Sequence, residues 1–339
     1  MSPRVLNGLR FDINGDKLTV TGTDLELTIE VTVPVSSTVD GSAVLPARLA
    51  SDIVRSFAPG TIQVEVNDEE ATLSSGRSRF AVRVLSVDDF PQHALLRGEP
   101  VALDAATFAE ALRQVVRAAS TDTSRPVLGG VLLAAEEDGL RLVATDSYRL
   151  AVRDLPGAHV LRPDQKVLVP SRALQELVRL LGKGGTLAVR LGEREASFEV
   201  QEVRLTTRLI KGEFPNYRQL IPKSYPNRLV VGREPLLDAI KRVKLMARES
   251  APIRLGLSEE GLELTAITKD VGQASESVDA TFAGSELTVA FNAEFLSAGV
   301  DAVGGDEVVL ENISPVKPAV IRSGQDDSYL YLLMPVRMR

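Results

Sequence analysis

The chain has 339 residues, room for two domains of about 150 residues or three of about 113, and 44% hydrophobic with 25% charged residues excludes disorder, collagen-like repeats and a membrane bundle. Zero cysteines and two histidines, His93 and His159, remove disulfide frameworks, Cys-based zinc sites, thiol nucleophiles and iron–sulfur clusters, and leave little for a catalytic or metal cluster. A net charge of −7 (39 basic, 46 acidic) excludes a uniformly basic nucleic-acid coat, and 10 Phe, 5 Tyr and no Trp argue against bases stacking on exposed rings.

In chain order, the start Met1-Ser2-Pro3-Arg4-Val5-Leu6-Asn7-Gly8 lacks the apolar run of a secretory signal, and nowhere do about 18 apolar residues follow one another. A cytoplasmic protein is expected. Short β-branched or alternating runs predict strands over 18–22 and 62–66, with a helix over 49–57 between them. A strand over 101–103 then leads into a helix whose apolar face is Phe108, Leu112, Val115 and Val116, with Asp104 as its N-cap. Leu174, Leu177, Val178 and Leu181 keep helical spacing opposite Arg172, Gln175, Glu176 and Arg179, and strands follow over 187–191 and 203–209. A third stripe, Leu236, Ile240, Val243 and Ala247, backs a polar face of Lys241, Lys244 and Arg248. Strands over 262–266 and 308–310 flank a helix over 296–303.

These elements repeat. Leu18-Thr19-Val20-Thr21-Gly22-Thr23-Asp24 returns as Leu140-Arg141-Leu142-Val143-Ala144-Thr145-Asp146, 122 positions on, and Gly261-Leu262-Glu263-Leu264-Thr265-Ala266 lies 122 beyond Gly139. Val5-Leu6-Asn7-Gly8-Leu9 likewise returns at Val127, and Val44-Leu45-Pro46 corresponds to Leu168-Val169-Pro170 and Ala290-Phe291-Asn292. Copies one and two close on Asp89-Phe90-Pro91 and Glu213-Phe214-Pro215. A period above 100 indicates duplicated domains, not a solenoid. Boundaries fall near 97/98 and 226/227, giving domains over 1–97, 98–226 and 227–339. Copies two and three each read helix, strands, helix, strands, whereas copy one has only four residues before Val5; by comparison with its siblings it lacks a first strand and helix.

The octapeptide Ala144-Thr145-Asp146-Ser147-Tyr148-Arg149-Leu150-Ala151, the segment Ser75-Gly76-Arg77-Ser78-Arg79-Phe80, the Phe-Pro turns and the ending Tyr331-Leu332-Leu333-Met334-Pro335-Val336-Arg337-Met338 together resemble the bacterial DNA polymerase III β subunits, the replicative sliding clamps. The resemblance implies an α+β fold of three tandem clamp domains, helices on one face and antiparallel sheets on the other. It implies a head-to-tail homodimer that encircles duplex DNA without sequence preference. It implies tethering of DNA polymerase III, clamp-loader subunits and repair proteins carrying clamp-binding motifs, with no catalysis, cofactor, metal or membrane.

Carried over position by position, the resemblance makes a partner-peptide groove of Leu128, Thr145, Ser147, Tyr148, Arg149, Leu150, Pro215, Leu220, Asn292, Val316, Met334, Pro335, Val336, Arg337 and Met338. Where the family often has Gly-His, this chain has Ser147-Tyr148, a larger ring that narrows the groove. A sliding ring calls for dispersed cations on inward helices, for which the candidates are Arg113, Arg117, Arg172, Arg179, Lys183, Lys241, Lys244 and Arg248. The dimer contact is Arg77, Arg79 and Phe80 against Leu245 and Glu276, with the strand over 75–80 as an edge strand and Phe80–Leu245 packing dominant. The short first domain leads to the expectation of a dimer that dissociates on dilution.

Two other readings stay open on the residues alone. One is a clamp paralogue or shortened form that binds peptides without a stable ring. The other is a two-carboxylate hydrolase using Asp88, Asp89 and Glu213, against which Asp89 and Glu213 stand in matching places before Phe-Pro turns. Gly182-Lys183-Gly184-Gly185 lacks the spacing of a phosphate-binding loop and follows a helix, so it reads as a helix stop.

Overall fold

The computed structural model describes residues 5–37, 39–92, 96–247 and 252–337, apart from the side chain of Lys183. His93, Arg248 and Met338 therefore lie outside the described residues. The first copy runs β1 (Gly8–Asn14), β2 (Lys17–Thr23), β3 (Leu27–Pro34), β4 (Gly41–Pro46), α1 (Ala47–Ser56), β5 (Gln63–Val66), β6 (Glu70–Ser75) and β7 (Ser78–Arg83). The second runs β8 (Val101–Asp104), α2 (Ala105–Val116), β9 (Gly130–Glu136), β10 (Gly139–Thr145), β11 (Arg149–Pro156), β12 (Lys166–Pro170), α3 (Ser171–Leu180), β13 (Thr186–Leu191), β14 (Glu195–Val200) and β15 (Val203–Arg208). The third runs β16 (Asn227–Gly232), α4 (Arg233–Lys244), β17 (Ile253–Ser258), β18 (Gly261–Thr268), β19 (Gly272–Val278), β20 (Ala280–Ala283), β21 (Leu287–Phe291), α5 (Ala293–Asp301), β22 (Glu307–Asn312), β23 (Ala319–Ser323) and β24 (Tyr329–Leu333).

The repeat is structural: β2, β10 and β18 begin at Lys17, Gly139 and Gly261, and α1, α3 and α5 each follow the strand that ends a copy's first half. Among the described residues the first copy enters through a 3-10 turn, Val5–Asn7, where the second and third have β8–α2 and β16–α4. Two expectations need correction. Helix α4 stops at Lys244, a turn before Ala247, because Leu245, Met246 and Ala247 close it with tight bonds to the carbonyls of Arg242, Val243 and Lys244. Residues 75–80 are not one strand: Gly76 at φ +57° turns β6 into β7, which leaves Arg77 in the turn.

By contacts the chain divides into two compact units, Met1–Ala106 with Arg179–Leu209, and Thr107–Val178 with Ile210–Arg339. The units follow the sheets instead of the repeats. In the first unit β15 of the second copy pairs antiparallel with β3 of the first, Leu205 opposite Ile29, within the order β4-β1-β2-β3-β15-β14-β13-β8. In the second unit β24 of the third copy pairs with β11 of the second, Ala151 opposite Tyr331, within β12-β9-β10-β11-β24-β23-β22-β16-β20. One rule covers both seams: the last strand of a copy joins, in the copy before it, the strand that follows β2 or its repeat β10. The strands in these two positions at the ends of the series, β7 and β19, close the three-stranded sheet β5-β6-β7 and the four-stranded sheet β19-β18-β17-β21 with one side unpaired.

Helices bury one stripe and expose the other, as their spacing predicts. In the second unit α4 sinks Leu236, Leu237, Ala239, Ile240 and Val243 and packs on α5 and on β16, β17, β18 and β19. Helix α5 approaches β24 so closely that a Cβ at Gly299 would stand 2.5 Å from the Tyr331 ring, so only glycine fits. The Tyr331 hydroxyl donates to the Phe295 carbonyl (3.0 Å), and burial raises its pKa to about 12. Beneath β11 and β24, Leu132, Val143, Leu150, Val152, Leu168, Tyr217, Val320 and Leu332 form one core cluster, with Phe214 and Ile221 against it.

Candidate functional site

The β10–β11 turn carries the octapeptide, and its backbone is held from within. The Thr145 hydroxyl donates to the Arg149 carbonyl (2.6 Å) and accepts from the Ser147 N–H (3.2 Å). The Asp146 carboxylate accepts from the N–H groups of Tyr148 and Arg149 (2.9 and 3.0 Å) and from Arg149 Nε (2.9 Å). This clamp holds Ser147 at φ +80°, a conformation that suits glycine, and thrusts Tyr148 outward, 61% exposed. The Arg149 guanidinium then lies 4.2 Å from the centre of the Phe295 ring, and Tyr148 stacks on that ring at 6.5 Å.

The carboxyl-terminal tail leaves β24 across this turn. Met334 N–H donates to the Tyr148 carbonyl (2.9 Å) and Val336 N–H to the Ala290 carbonyl (2.8 Å), so the tail runs from the octapeptide to the end of β21. Asn292, two residues on, caps α5 by accepting from the N–H groups of Glu294 and Phe295 (2.9 and 3.1 Å). The 3-10 turn Tyr217–Leu220 is anchored by Tyr217 in the core cluster that contains Leu150, and it lifts Leu220 into solvent, with Pro215 exposed just before it. Val316 stands exposed on the β22–β23 turn.

Twelve of the fifteen expected groove residues separate into two kinds, while Ser147 is exposed in the turn, Arg149 is half-buried against Phe295 and Met338 lies outside the described residues. Tyr148, Pro215, Leu220, Val316, Met334, Val336 and Arg337 are exposed, and Pro335 is partly so. Leu128, Thr145 and Leu150 are buried, and the Asn292 side chain is engaged as a cap, so these four shape the floor more than they face a ligand. Sequence reasoning missed Arg125, which donates to Ser147 Oγ (3.1 Å) while Asp122 holds its Nε (2.8 Å). It missed Phe295 as well. Neither carries a motif; only a fold that brings loop 121–126 and α5 to the turn reveals them.

Of the expected cations, Arg113, Arg117 and Lys241 are exposed and Lys244 half-buried, and all four are opposed by carboxylates. Arg113 pairs with Glu110 (3.1 Å), Arg117 with Asp301 (2.7 Å), Lys241 with Asp238 (3.0 Å) and Lys244 with Glu294 (2.7 Å). The hydrogen bond from Lys241 lowers the pKa of Asp238. Arg172 and Arg179 lie exposed on α3. Gly184 and Gly185, at φ +68° and +103°, end the 3-10 turn after α3, so this segment is a helix stop. Asp88, Asp89 and Glu213 stand exposed beside the two Phe-Pro turns.

At the free edges, Phe80 on β7 is 40% exposed and meets Phe57 edge-on at 5.6 Å, while Leu245, just past α4, is 75% exposed. Glu276 on β19 is bound within its own chain by Arg242 (2.6 Å), a hydrogen bond that lowers its pKa.

Comparison with known proteins adds the family. Sequence models of the DNA polymerase III beta subunit match in order: its N-terminal domain over residues 2–95, its central domain over 102–216 and its C-terminal domain over 218–337. The beta sliding clamps of Streptomyces coelicolor and Synechococcus elongatus are 32% and 33% identical over 98% of this chain, and over 92% and 91% of theirs. Crystal structures of the sliding clamps of Bartonella birtlesii, bound to griselimycin, and Bacillus subtilis superpose with TM-scores of 0.94 and 0.93 at 29% and 26% identity, covering all of this chain and 93% of each of theirs. The chain belongs to the DNA polymerase III beta subunit family, the bacterial beta sliding clamps.

Proposed function

We propose that two copies of this chain, each of three clamp domains over 1–97, 98–226 and 227–339, join head to tail around duplex DNA in the cytoplasm and tether polymerase, loader and repair proteins through the groove. The family is one of noncatalytic processivity factors, so the hydrolase reading falls away. The observation that carries the assembly is the seam rule: β3–β15 and β11–β24 leave β7 and β19 as the unused halves of a third, identical seam. An antiparallel β7–β19 pair between copies continues the series and brings Arg79 and Phe80 of one copy toward Leu245 and β19 of the other. Both edges are largely exposed and carry few apolar side chains, so main-chain pairing with Phe80 as anchor holds the contact.

For the groove, the exposed apolar side chains of Tyr148, Leu220, Met334 and Val336 offer anchors, and Met334 adapts to different partners. The cations of α2, α3 and α4 supply contacts to phosphates without base readout. The assembly is tested with cysteines, of which the chain has none. Cysteine at Arg79 or Ala81, combined with cysteine at Ser275 or Ser277, is expected to give covalent dimers with a short bismaleimide. A dimer in solution that no such pair links would refute the β7–β19 seam.

A further inference from the structure

Four expected DNA-facing cations each have a carboxylate in the place a phosphate would take. Arg113 and Lys241 are held by acids one turn earlier on their own helices, Glu110 and Asp238. Arg117 and Lys244 are held by Asp301 and Glu294 of α5, which joins α2 and α4 into one layer. That layer is tied further where Gln114 donates to the Ala302 carbonyl (2.8 Å) and Arg233 to the Asp301 carbonyl (2.8 Å). An open cleft beside α5 is lined by Arg117, Glu294 and Asp301 together with Arg149 and Phe295, so this part of the cation–acid layer opens to solvent.

We propose that Glu110, Asp238, Glu294 and Asp301 are built-in counterions that keep the clamp's hold on DNA weak. The proposal rests on reading α2, α4 and α5 as DNA-facing. Exposed ion pairs are cheap to break, each favoured by only about 1.4- to 5-fold. A phosphate can therefore displace the carboxylate, but it must compete with it, and the cation returns to its own partner as the phosphate moves on. When a paired cation takes a phosphate, the counterion released from the DNA is partly offset by the one that the freed carboxylate attracts, so it adds less to the salt dependence than a bare cation, whose share is about 0.9 in the slope of log affinity against log salt. Contacts of this kind give a ring that is retained by topology and slides with small barriers.

The test is the affinity of the intact protein for a fluorescent linear duplex over a salt series. Asp238→Asn with Glu294→Gln is expected to tighten binding about 2- to 25-fold at low salt and steepen the slope by up to about 1.8. Adding Lys241→Ala and Lys244→Ala to that variant is expected to cancel the gain. Glu259→Gln with Glu260→Gln, on the β17–β18 turn, changes net charge equally and is expected to stay within about 2-fold of the starting protein. Thermal melting verifies that each variant folds, and Asp238→Asn alone serves should Glu294→Gln loosen α5. An unchanged affinity in the carboxylate variant, or an equal gain from the Glu259 and Glu260 pair, overturns the proposal. If Lys241→Ala with Lys244→Ala alone leaves affinity and slope unchanged, the DNA-facing reading beneath it fails instead.

Discussion

Replacing Met334 and Val336 by alanine isolates the contribution of the tail to peptide binding, because both positions are tied down by main-chain bonds that alanine keeps. Met334 is 41% and Val336 38% exposed, so about two-fifths of each side chain remains for a partner to cover. Full burial of such side chains is worth about 1.5–3 kcal/mol, which leaves about 1 kcal/mol available at each position. Met334→Ala is expected to weaken a fluorescent clamp-binding peptide about 5-fold, and the double variant, at about 2 kcal/mol, about 30-fold. Fluorescence anisotropy reads both, and removal of residues 334–339 should cost at least as much because it also severs the ties to Tyr148 and Ala290. A double variant that folds normally and binds the peptide with unchanged affinity would refute the assignment of the tail as a groove wall.

Phe80→Ala removes the one aromatic anchor on β7 and is expected to lower the dimer fraction on dilution while peptide affinity holds; sedimentation at several concentrations checks it, and a dimer that is unaffected contradicts the seam. Gly299→Ala forces a methyl against the Tyr331 ring and is expected to cost about 1–3 kcal/mol in denaturant unfolding. Asp122, held by the Ser124 hydroxyl and N–H and by Arg125, has its pKa lowered from 3.8 to about 2. Its contribution to the fold is thus complete above pH 3.8 and lost as pH falls through about 2. Its carboxyl resonance should titrate near 2, and Ser124→Ala should raise that midpoint.

The repeat made most of the fold legible. Strand β2 recurs as β10 and β18 at the spacing of 122 residues read from the sequence, and the apolar stripes of α2, α3 and α4 placed those helices on their cores. The end of α4 was not legible, since Ala247 continues the stripe in sequence while the backbone has already closed at Lys244. In the site, the octapeptide and the tail could be found from their residues. The split between Tyr148 or Met334 at the surface and Thr145 or Leu150 below it could not, because it depends on which hydrogen bonds close the turn. Two of the carboxylates opposite the cations were equally hidden: Lys244–Glu294 and Arg117–Asp301 join residues far apart in the chain, and only the packing of α5 beside α4 and its bonds to the end of α2 bring them together.

The proposed ring is closed and held on DNA by topology. Labelled protein is placed on nicked circular plasmid by its cognate loader and ATP, separated from free protein by gel filtration, and the plasmid is then cut once. The protein is expected to stay on the circle through high salt and to leave once the DNA is linear. Retention that linearisation does not change would mean that direct contacts hold it and would contradict the ring.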